Sequence, residues 1–552
     1  MRYPILLAAA AALVSSSALA APVSHHAKSH AAKPPKAEGA ADKKAATAQP
    51  VKEFFKPSEV RSTGTVIVGG QPIAYDAVAG TLVVHSKDWS DTDAVEADAS
   101  TDKSKNEPKP EASMYYVAYF QQGAPSAARP ITFLFNGGPG SSSIWLHMGA
   151  FGPVRVTTAD APNHTHPAPY STVNNDETLL DASDLVFIDA PGTGFSRIAG
   201  KDKEKFFYGV DQDIDAFTKF ITQFLTKYDR WNSPKYLFGE SYGTMRAAGL
   251  SLALQHADVD LNGVMLLSDI LNWDFMPDDP QLNPGIDMPY IVALPTYAAT
   301  AWYFHKVPSA PADLQAWLAQ VQDFATGDYA RALMAGNLLA PAEKQRVAEQ
   351  LAAYTGLSVP YLLKSNLRIE YGAFQKELFG TEELTTGTLD TRFVGATLDP
   401  LSKVSSYDPQ SAAIGAAYVA AYQSYVRDRL NWKPDIQFKS GIPVYSKWDY
   451  KHQPPGADKP LIMLPNVLPD LATAMKQNPT MKVMVNGGYF DVSTPYFEGW
   501  QEMHHLPIPP ALQSNIEYHY YQSGHMVYVH LPTLVQLHDN VADFFRRTSG
   551  GQ

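Results

Sequence analysis

The chain has 552 residues, well above the ~250–300 at which a single hydrophobic core usually stops growing, so we expect a core domain with a large insertion or a second unit. Its formal net charge of −12 argues against a nucleic-acid partner, because such a partner requires a basic surface. The sequence contains no cysteine, which excludes disulfides, thiolate zinc sites and a cysteine nucleophile.

Residues 1–20 have the pattern of a secretory signal peptide. Arg2 precedes an apolar run from Ile5 to Val14, and Ala18-Leu19-Ala20 fits the small-x-small rule for cleavage after Ala20. The run is too short to cross a bilayer, which takes about 20 apolar residues, and we expect no membrane span later in the chain. We therefore predict an exported protein of bacterial type, periplasmic or extracellular, because secreted proteins without cysteine are ordinary in bacteria.

Two polar stretches interrupt the globular part of the sequence. Residues 21–55 are rich in Ala, Lys, Pro and His and have almost no large apolar residue before Phe54, so we predict a disordered tether. Its histidines are interpreted as part of a solvated tail rather than as metal ligands. Residues 88–112 are acidic and polar, and we predict a mobile surface insertion there.

Short β-branched or apolar runs, separated by turns, recur through the chain and predict strands. These runs are Thr65–Val68, Thr81–Val84, Met114–Phe120, Ile131–Phe135, Leu185–Ile188, Tyr236–Phe238, Val264–Leu267 and Lys482–Val485. Gly69-Gly70 and Gly80 punctuate the first two, and a helical pattern over Asp211–Tyr228 lies between later ones. Runs that are apolar throughout are typical of a parallel sheet covered by helices on both faces. The sequence therefore predicts an α/β fold with a mostly parallel central sheet.

Residues 273 to about 470 have a different texture, with few strand signals and helical spacing over Ala312–Phe324 and Pro341–Tyr354. We predict a mainly helical cap insertion over residues 273–470. It would divide the core into a first part, residues 56–272, and a second part, residues 471–548.

A nucleophile is predicted at Ser241, in the G-x-S-x-G pattern of Gly239 to Gly243. The pattern follows an apolar strand and precedes a helix-compatible run, which is the context of a nucleophile elbow. Backbone amides must then stabilise the oxyanion. We expect them from Tyr242, directly after the nucleophile, and from Gly138, with Gly137 as its neighbour, in the glycine-rich loop after Ile131–Phe135.

The chain order of such a site is Ser, then an acid, then His. His525 follows the run Ile516–Tyr521 and a Ser-Gly turn, so we predict it as the base. The competing histidines His519, His530 and His538 lie inside that strand or near the closing helix. Candidates for the acid are Asp491, Asp269 and Asp189, each after an apolar strand, and Asp491 best fits the order because it precedes the final strand.

Together these motifs resemble the serine carboxypeptidases, a family of the α/β-hydrolase superfamily. Five blocks carry the resemblance in the family's order: NGGPGSSS (136–143), DAPGTGFS (189–196), ESY (240–242), GYFDVSTP (488–495) and GHMV (524–527). The resemblance implies an α/β-hydrolase fold, assigns the acid to Asp491 and implies Asn136 and Glu240 as ligands of the substrate's C-terminal carboxylate. It also implies activity that favours acid pH, since Glu240 must share a proton with that carboxylate.

The chain departs from the family's pattern at several positions. Leu134 stands where the family often has Trp, Ala150 where a second glutamate is expected, and Tyr528 where a proline is expected. Ser141 and Tyr489 replace a cysteine and the first aspartate of the acid block. The loss of the Trp and of the second glutamate leaves fewer groups to bind a substrate carboxylate.

Three functions follow from these observations. The leading hypothesis is a secreted serine carboxypeptidase that acts on peptides through an acyl-enzyme, with no metal or other cofactor. The second is a serine esterase or acyltransferase on the same fold, and the third is a non-catalytic envelope binding protein. A requirement for a free carboxylate in the substrate separates the first from the second, and reaction of Ser241 with a phosphonate excludes the third.

Overall fold

A computed structural model of the protein describes residues 53–87 and 109–550. The predicted signal peptide, the predicted tether up to residue 52 and residues 88–108 of the predicted surface insertion lie outside the described residues. Phe54 and Phe55, at the end of the predicted tether, donate backbone hydrogen bonds to the Glu111 carboxylate. Within the described part, no helix is both long and apolar enough to cross a bilayer.

The described residues contain fourteen strands, of which ten belong to the central sheet and four form two separate two-stranded sheets. In chain order they are β1 (Ser58–Val68), β2 (Gln71–His85), β3 (Glu111–Gln121), β4 (Ile131–Phe135), β5 (Val154–Val156), β6 (Thr172–Asn174), β7 (Asp184–Ile188), β8 (Arg197–Ala199), β9 (Lys235–Glu240), β10 (Gly263–Leu267), β11 (Leu384–Thr386), β12 (Val394–Ala396), β13 (Lys482–Gly488) and β14 (Ile516–Tyr521). All eight predicted runs fall within strands.

The central sheet has ten strands in the order β1-β2-β3-β7-β4-β9-β10-β13-β14, with β8 paired to β3. From β7 to β14 all neighbours are parallel, whereas β1, β2 and β3 form an antiparallel flank. This mostly parallel sheet flanked by helices confirms the predicted α/β-hydrolase fold. The carboxyl ends of β4, β9, β10, β13 and β14 meet at one edge, where functional groups collect in such folds.

Side-chain alternation explains why the parallel strands are apolar throughout. In β4, Phe133 and Phe135 pack into one hydrophobic cluster, while Leu134 packs into the cluster on the opposite face. In β13, Val483 packs on the first face and Met484 on the second. Because successive side chains point to opposite faces and both faces are covered by helices, every residue of β4, and every residue of β13 after Lys482, is buried.

Thirteen α-helices lie in the described residues. They are α1 (Lys203–Phe207), α2 (Val210–Lys227), α3 (Tyr242–Gln255), α4 (Met288–Tyr303), α5 (Leu314–Phe324), α6 (Ala330–Ala335), α7 (Pro341–Thr355), α8 (Val359–Lys364), α9 (Tyr371–Glu377), α10 (Pro409–Asp428), α11 (Leu468–Gln477), α12 (Tyr496–His504) and α13 (Leu531–Thr548). The helix predicted over Asp211–Tyr228 is α2, whose buried face repeats at helical spacing, for example Phe217, Phe220 and Phe224.

The segment between β10 and β13 holds helices α4 to α11 and the β11–β12 hairpin. A third hydrophobic cluster packs α4, α5 and α7 against residues 489–497, which follow β13. Farther along, the segment returns to the core through isolated bridges from Lys439 to Gly194 and from Gly441 to Ser141. The segment therefore contacts both the glycine-rich loop after β4 and the loop after β13.

One predicted turn is a strand interior. Gly69 and Gly70 do form the turn between β1 and β2, with φ values of 54° and 78°. Gly80 instead lies within β2 opposite Glu59, and a Cβ added there would come 2.6 Å from the carbonyl oxygen of Ser58. The glycine is required by a close approach of two strands, which a sequence pattern does not distinguish from a turn.

His452 connects the segment between β10 and β13 to the core, because its imidazole lies between two carboxylates. Its Nδ1 lies 2.6 Å from Asp211 at the start of α2, and its Nε2 lies 2.9 Å from Asp470 in α11. Burial alone would lower the pKa of His452, but the hydrogen bonds and charges of the two aspartates raise it to about 9. The imidazolium is thus the form that the fold stabilises.

We expect the His452→Gln variant to lose about 2–3 kcal/mol of unfolding free energy at pH 6. The folded pKa lies above the unfolded one, so the stabilisation is fully present below the unfolded value and disappears as pH rises through about 9. Thermal unfolding of the variant and the parent at pH 6 and pH 10 measures this difference. An equal gap in Tm at both pH values would contradict a charged His452.

Candidate active site

Ser241 occupies a sharp turn between β9 and α3. Its φ and ψ are 62° and −133°, a conformation that residues with a side chain rarely adopt. A Cβ at Gly239 would lie 2.1 Å from the Gly243 carbonyl oxygen, and one at Gly243 would lie 2.7 Å from that of Phe135. The two glycines therefore permit the tight strand-to-helix passage that a nucleophile elbow needs.

The structure brings His525 and Asp491 together. His525 follows β14, Asp491 follows β13, and their Nδ1 and Oδ2 atoms lie 2.6 Å apart with both side chains buried. Asp491 also accepts hydrogen bonds from the backbone amides of Ser493 and Thr494, at 2.9 and 3.1 Å. With Nδ1 committed to Asp491, the Nε2 atom of His525 is the nitrogen that can accept a proton from a hydroxyl.

Thr494 adds a hydroxyl to this pair that the sequence patterns did not single out. Its Oγ1 donates to Asp491 Oδ2 at 2.8 Å and lies 3.1 Å from His525 Nδ1. Thr494 stands three residues after the acid, within the GYFDVSTP block, so its proximity to the acid was the signal that could have found it. The hydroxyl helps to fix the carboxylate oxygen that faces the imidazole.

The backbone of His525 is anchored from two other parts of the chain. Its amide donates to the carbonyl oxygen of Leu389, in the segment between β10 and β13, at 2.6 Å. Its carbonyl oxygen accepts from the Ser268 hydroxyl, just after β10, at 2.7 Å. The histidine loop is thus held by the sheet on one side and by the predicted cap on the other.

The charge of Asp491 determines the ionisation of His525. Burial alone would lower the pKa of His525, but the charge and hydrogen bond of Asp491, with a contribution from Glu240, raise it above its usual value. A base with a raised pKa is stronger, but it must be neutral before it can take a proton. Below its raised pKa, His525 is protonated and cannot accept a proton.

The glycine-rich loop after β4 lies directly against the elbow. A Cβ at Gly137 would come 2.3 Å from the amide nitrogen of Tyr242 and 2.5 Å from that of Gly243. Gly138 follows with φ of 113°, a value accessible to glycine. The segments that carry the two predicted oxyanion amides, Gly138 and Tyr242, are therefore neighbours in the structure.

Asn136 and Glu240, the predicted carboxylate ligands, are both buried, and Glu240 directly precedes Ser241. The Asn136 Oδ1 atom accepts the Leu146 amide at 3.1 Å, and the Glu240 carboxylate accepts the Tyr528 hydroxyl at 2.8 and 3.1 Å. Burial raises the pKa of Glu240 to about 7, although His525, Tyr528 and Asn136 each lower it. Glu240 can therefore hold a proton near neutral pH.

The other candidates for the acid and the base contact different partners. Asp189 accepts the Ser143 amide at 2.9 Å, so it orders the loop around residue 143. Among the histidines, His519 lies 3.2 Å from Glu517 and His538 lies 3.3 Å from Asp181. The last candidate, His530, lies 3.7 Å from Asp160. Among the three candidate carboxylates, Asp491 is the one that is hydrogen-bonded to His525.

Asp269, the remaining acid candidate, belongs to a buried cluster with Glu498 and Glu502. The Glu502 carboxylate accepts the amides of Leu271 and Asn272, while neither oxygen of Glu498 has a hydrogen-bond partner among the residues that the structure describes. Burial raises the pKa of Asp269 to about 7 and that of Glu498 well above its usual value. Over the described residues, no group of three or more His, Cys, Asp or Glu side chains is arranged to hold a metal ion.

The comparison with known families agrees with the motifs at this site. A family model described as serine carboxypeptidase matches residues 101–267, which include Asn136, the glycine-rich loop and Ser241. Over these residues the chain is similar to the serine carboxypeptidase family. The matched residues end before Asp491 and His525, so the pairing of acid and base rests on the geometry given above.

Three curated serine carboxypeptidases resemble parts of the chain. Pheromone-processing carboxypeptidase KEX1 of Saccharomyces cerevisiae is 35% identical over 102 residues, which are 18% of this chain and 13% of that protein. A carboxypeptidase Y homolog of Arthroderma benhamiae is 30% identical over 138 residues, 25% of each chain. The retinoid-inducible serine carboxypeptidase of Homo sapiens is 34% identical over 131 residues, 23% of this chain and 25% of that protein. The matched stretches thus span a quarter or less of these relatives.

Proposed function

We propose that the protein is an exported serine carboxypeptidase that releases C-terminal amino acids from peptides through an acyl-enzyme. The observation that carries the proposal is the 2.6 Å hydrogen bond between the buried His525 and Asp491, at the sheet edge where Ser241 follows β9. Asn136 and Glu240 at the same edge favour a substrate with a free C-terminal carboxylate.

Each residue of the proposed site has one chemical task. The Ser241 hydroxyl attacks the scissile carbonyl carbon while His525 Nε2 takes its proton, and the amides of Gly138 and Tyr242 stabilise the oxyanion. His525 then returns the proton to the leaving amine, and the C–N bond breaks to give the acyl-enzyme. Water, deprotonated by His525, hydrolyses that ester. Asp491 holds the imidazole and stabilises its charged form.

Glu240 and Asn136 would bind the substrate's terminal carboxylate. Two buried carboxylates cannot both remain ionised at close range, so Glu240 must be protonated and donate to the substrate. Its pKa of about 7 makes this form available at and below neutral pH. The Asn136 side chain supplies a second, pH-independent donor.

We expect kcat/KM for a free-carboxylate peptide to follow a bell-shaped pH profile. The alkaline limb falls as Glu240 ionises near pH 7, and the acid limb falls as His525 is protonated, at a pKa above its usual value. The maximum is therefore expected closer to neutral pH than the acid optimum inferred from the sequence. In Glu240→Gln the side chain donates at every pH, so the alkaline limb should disappear. Persistence of that limb in the variant would assign it to another group.

The experiment that tests the proposal is amino-acid release from an N-blocked dipeptide at pH 4–9. The C-terminal amide and ester of the same dipeptide are measured beside it, with Ser241→Ala as the control. Preferred cleavage of the free acid, lost in the control, supports a carboxypeptidase. Cleavage of the ester alone, still dependent on Ser241, would leave the fold and nucleophile intact but make the protein an esterase.

The alternative of an esterase or acyltransferase is favoured by one observation, the buried Ala150 at the position of the expected second glutamate. It removes one possible donor to a substrate carboxylate. The third candidate, a binding protein without catalysis, requires that Ser241 fail to react with a serine-directed phosphonate. Covalent labelling detected by mass spectrometry, absent in Ser241→Ala, would rule that candidate out.

A further inference from the structure

Tyr528 connects the histidine loop to the carboxylate beside the nucleophile. Its hydroxyl donates to both oxygens of Glu240, at 2.8 and 3.1 Å, and its side chain is 2% exposed. Tyr528 stands three residues after His525, and Glu240 stands directly before Ser241. One hydrogen-bonded contact therefore joins the segments that carry the base and the nucleophile.

The ring of Tyr528 packs on the backbone next to Ala150. A Cβ added at Gly149 would lie 2.7 Å from the Tyr528 ring and 2.3 Å from the Tyr418 hydroxyl oxygen. Two phenols thus cover the wall where the family resemblance places a second glutamate. A carboxyl there could share a proton with Glu240, whereas a phenol that stays neutral donates to the ionised carboxylate and favours it.

Among the groups around Glu240, Tyr528 is an uncharged hydrogen-bond donor that can lose its hydroxyl without the loss of a proposed catalytic residue. Glu240 is influenced by His525 and Asp491, in the loops after β14 and β13, by Asn136 after β4, and by Tyr528 itself. Tyr418 of α10 is also close enough to interact electrostatically with Glu240. Removing His525 or Asp491 would destroy the proposed chemistry, but removing one hydroxyl from Tyr528 would not.

We propose that Tyr528 is a specificity-determining residue, which sets the highest pH at which Glu240 can hold the proton needed to bind a peptide with a free C-terminal carboxylate. The inference rests on the proposed function and deepens it. The Tyr528 hydroxyl and a substrate carboxylate compete for the same side chain, since the first stabilises ionised Glu240 and the second requires its protonated form. Loss of the hydroxyl should therefore favour protonated Glu240 and extend binding to higher pH.

The test compares Tyr528→Phe with Tyr418→Phe. Within the described residues the Tyr418 hydroxyl lies on the same wall but makes no hydrogen bond to Glu240, whereas the Tyr528 hydroxyl does. kcat/KM is measured from pH 4 to 9 on the N-blocked dipeptide and on its ester. In Tyr528→Phe the alkaline limb for the free acid is expected to move up by about one pH unit, through KM rather than kcat. The ester profile and the Tyr418→Phe profiles should not move.

A second comparison keeps the outcome decisive. In a Glu240→Gln background, Tyr528→Phe should not shift the pH profile. The glutamine side chain does not ionise, so the hydroxyl has no pKa to change. Equal shifts for acid and ester, or none, would overturn the role of Tyr528 while leaving a carboxypeptidase in place. If the parent enzyme itself does not prefer the free acid, the proposed function fails instead. Tyr528→Met, which also lacks the hydroxyl, replaces the Phe variant if that variant does not fold.

Discussion

Replacement of Asp491 by asparagine is expected to lower kcat about 10⁴-fold while leaving KM nearly unchanged. The asparagine can still accept the amides of Ser493 and Thr494, so the loop should keep its shape. Its NH₂ group, however, would donate to His525 Nδ1 and place the remaining ring proton on Nε2. In that tautomer the imidazole cannot take the proton of Ser241. Single-turnover kinetics on the N-blocked dipeptide, or on its ester, measure the loss.

Asp269→Asn is the matched control for this prediction. Asp269 was the runner-up acid, and burial raises its pKa to about 7, so it is largely protonated below neutral pH. An asparagine resembles the protonated acid, and we expect kcat at pH 6 to change by less than about tenfold. A larger loss in Asp269→Asn than in Asp491→Asn would transfer the acid's role to Asp269. Circular dichroism of both variants separates a chemical loss from unfolding.

The parallel strands could be predicted because burial on both faces leaves a continuous apolar run. Ile131–Phe135 coincides with β4, and Val264–Leu267 lies within β10, and all residues of both strands are buried. The full length of β1 could not be predicted, because residues 58–64 are mostly polar, are partly or fully exposed and carry no hydrophobic pattern. That part of the strand is specified by antiparallel pairing with residues 75–81 of β2, which the local sequence does not encode.

The helices between β10 and β13 could be predicted where local signals mark them. α7 begins at Pro341 and is followed by Gly356 at φ of 71°, as helix-start and helix-stop rules expect. The irregular chain around residues 433–467 has no such period, yet it holds His452 and the bridges to Gly194 and Ser141. Its course is determined by contacts with distant residues rather than by its own sequence.

The candidate site likewise combines residues that local motifs predict with contacts that depend on distant parts of the chain. The motifs proposed Ser241, Asp491 and His525 as reacting groups, and the structure places Asp491 and His525 within hydrogen-bonding distance. The motifs could not predict that Tyr528 would contact Glu240, because the two are separated by 288 residues and the family pattern has proline at that position. Likewise, the anchor of His525 on Leu389 comes from another part of the fold. Sequence patterns name reacting groups, while the groups that orient them depend on the tertiary structure.

A buried ion pair behind the nucleophile helix supports this arrangement. Arg246 of α3 is fully buried, and its Nε and Nη2 atoms donate to Asp213 of α2 at 2.6 and 3.2 Å. Its Nη1 atom donates to the backbone carbonyl of Asn136 at 2.8 Å, and the guanidinium lies 4.2 Å from the Phe217 ring centroid. Arg246 therefore ties the start of the glycine-rich loop to the helix that follows Ser241.

Arg246→Leu is expected to lower the free energy of unfolding by about 3–5 kcal/mol, because it leaves the Asp213 carboxylate buried without its partner. Urea denaturation followed by fluorescence measures the change. The double variant Asp213→Leu/Arg246→Leu should recover much of that loss, since it leaves no unpaired charge. KM for the free-carboxylate dipeptide should be altered in the single variant and should stay altered in the double variant, because in both the Asn136 carbonyl lacks its donor. A loss below about 1 kcal/mol in the single variant would mean that water or a shifted side chain replaces the guanidinium.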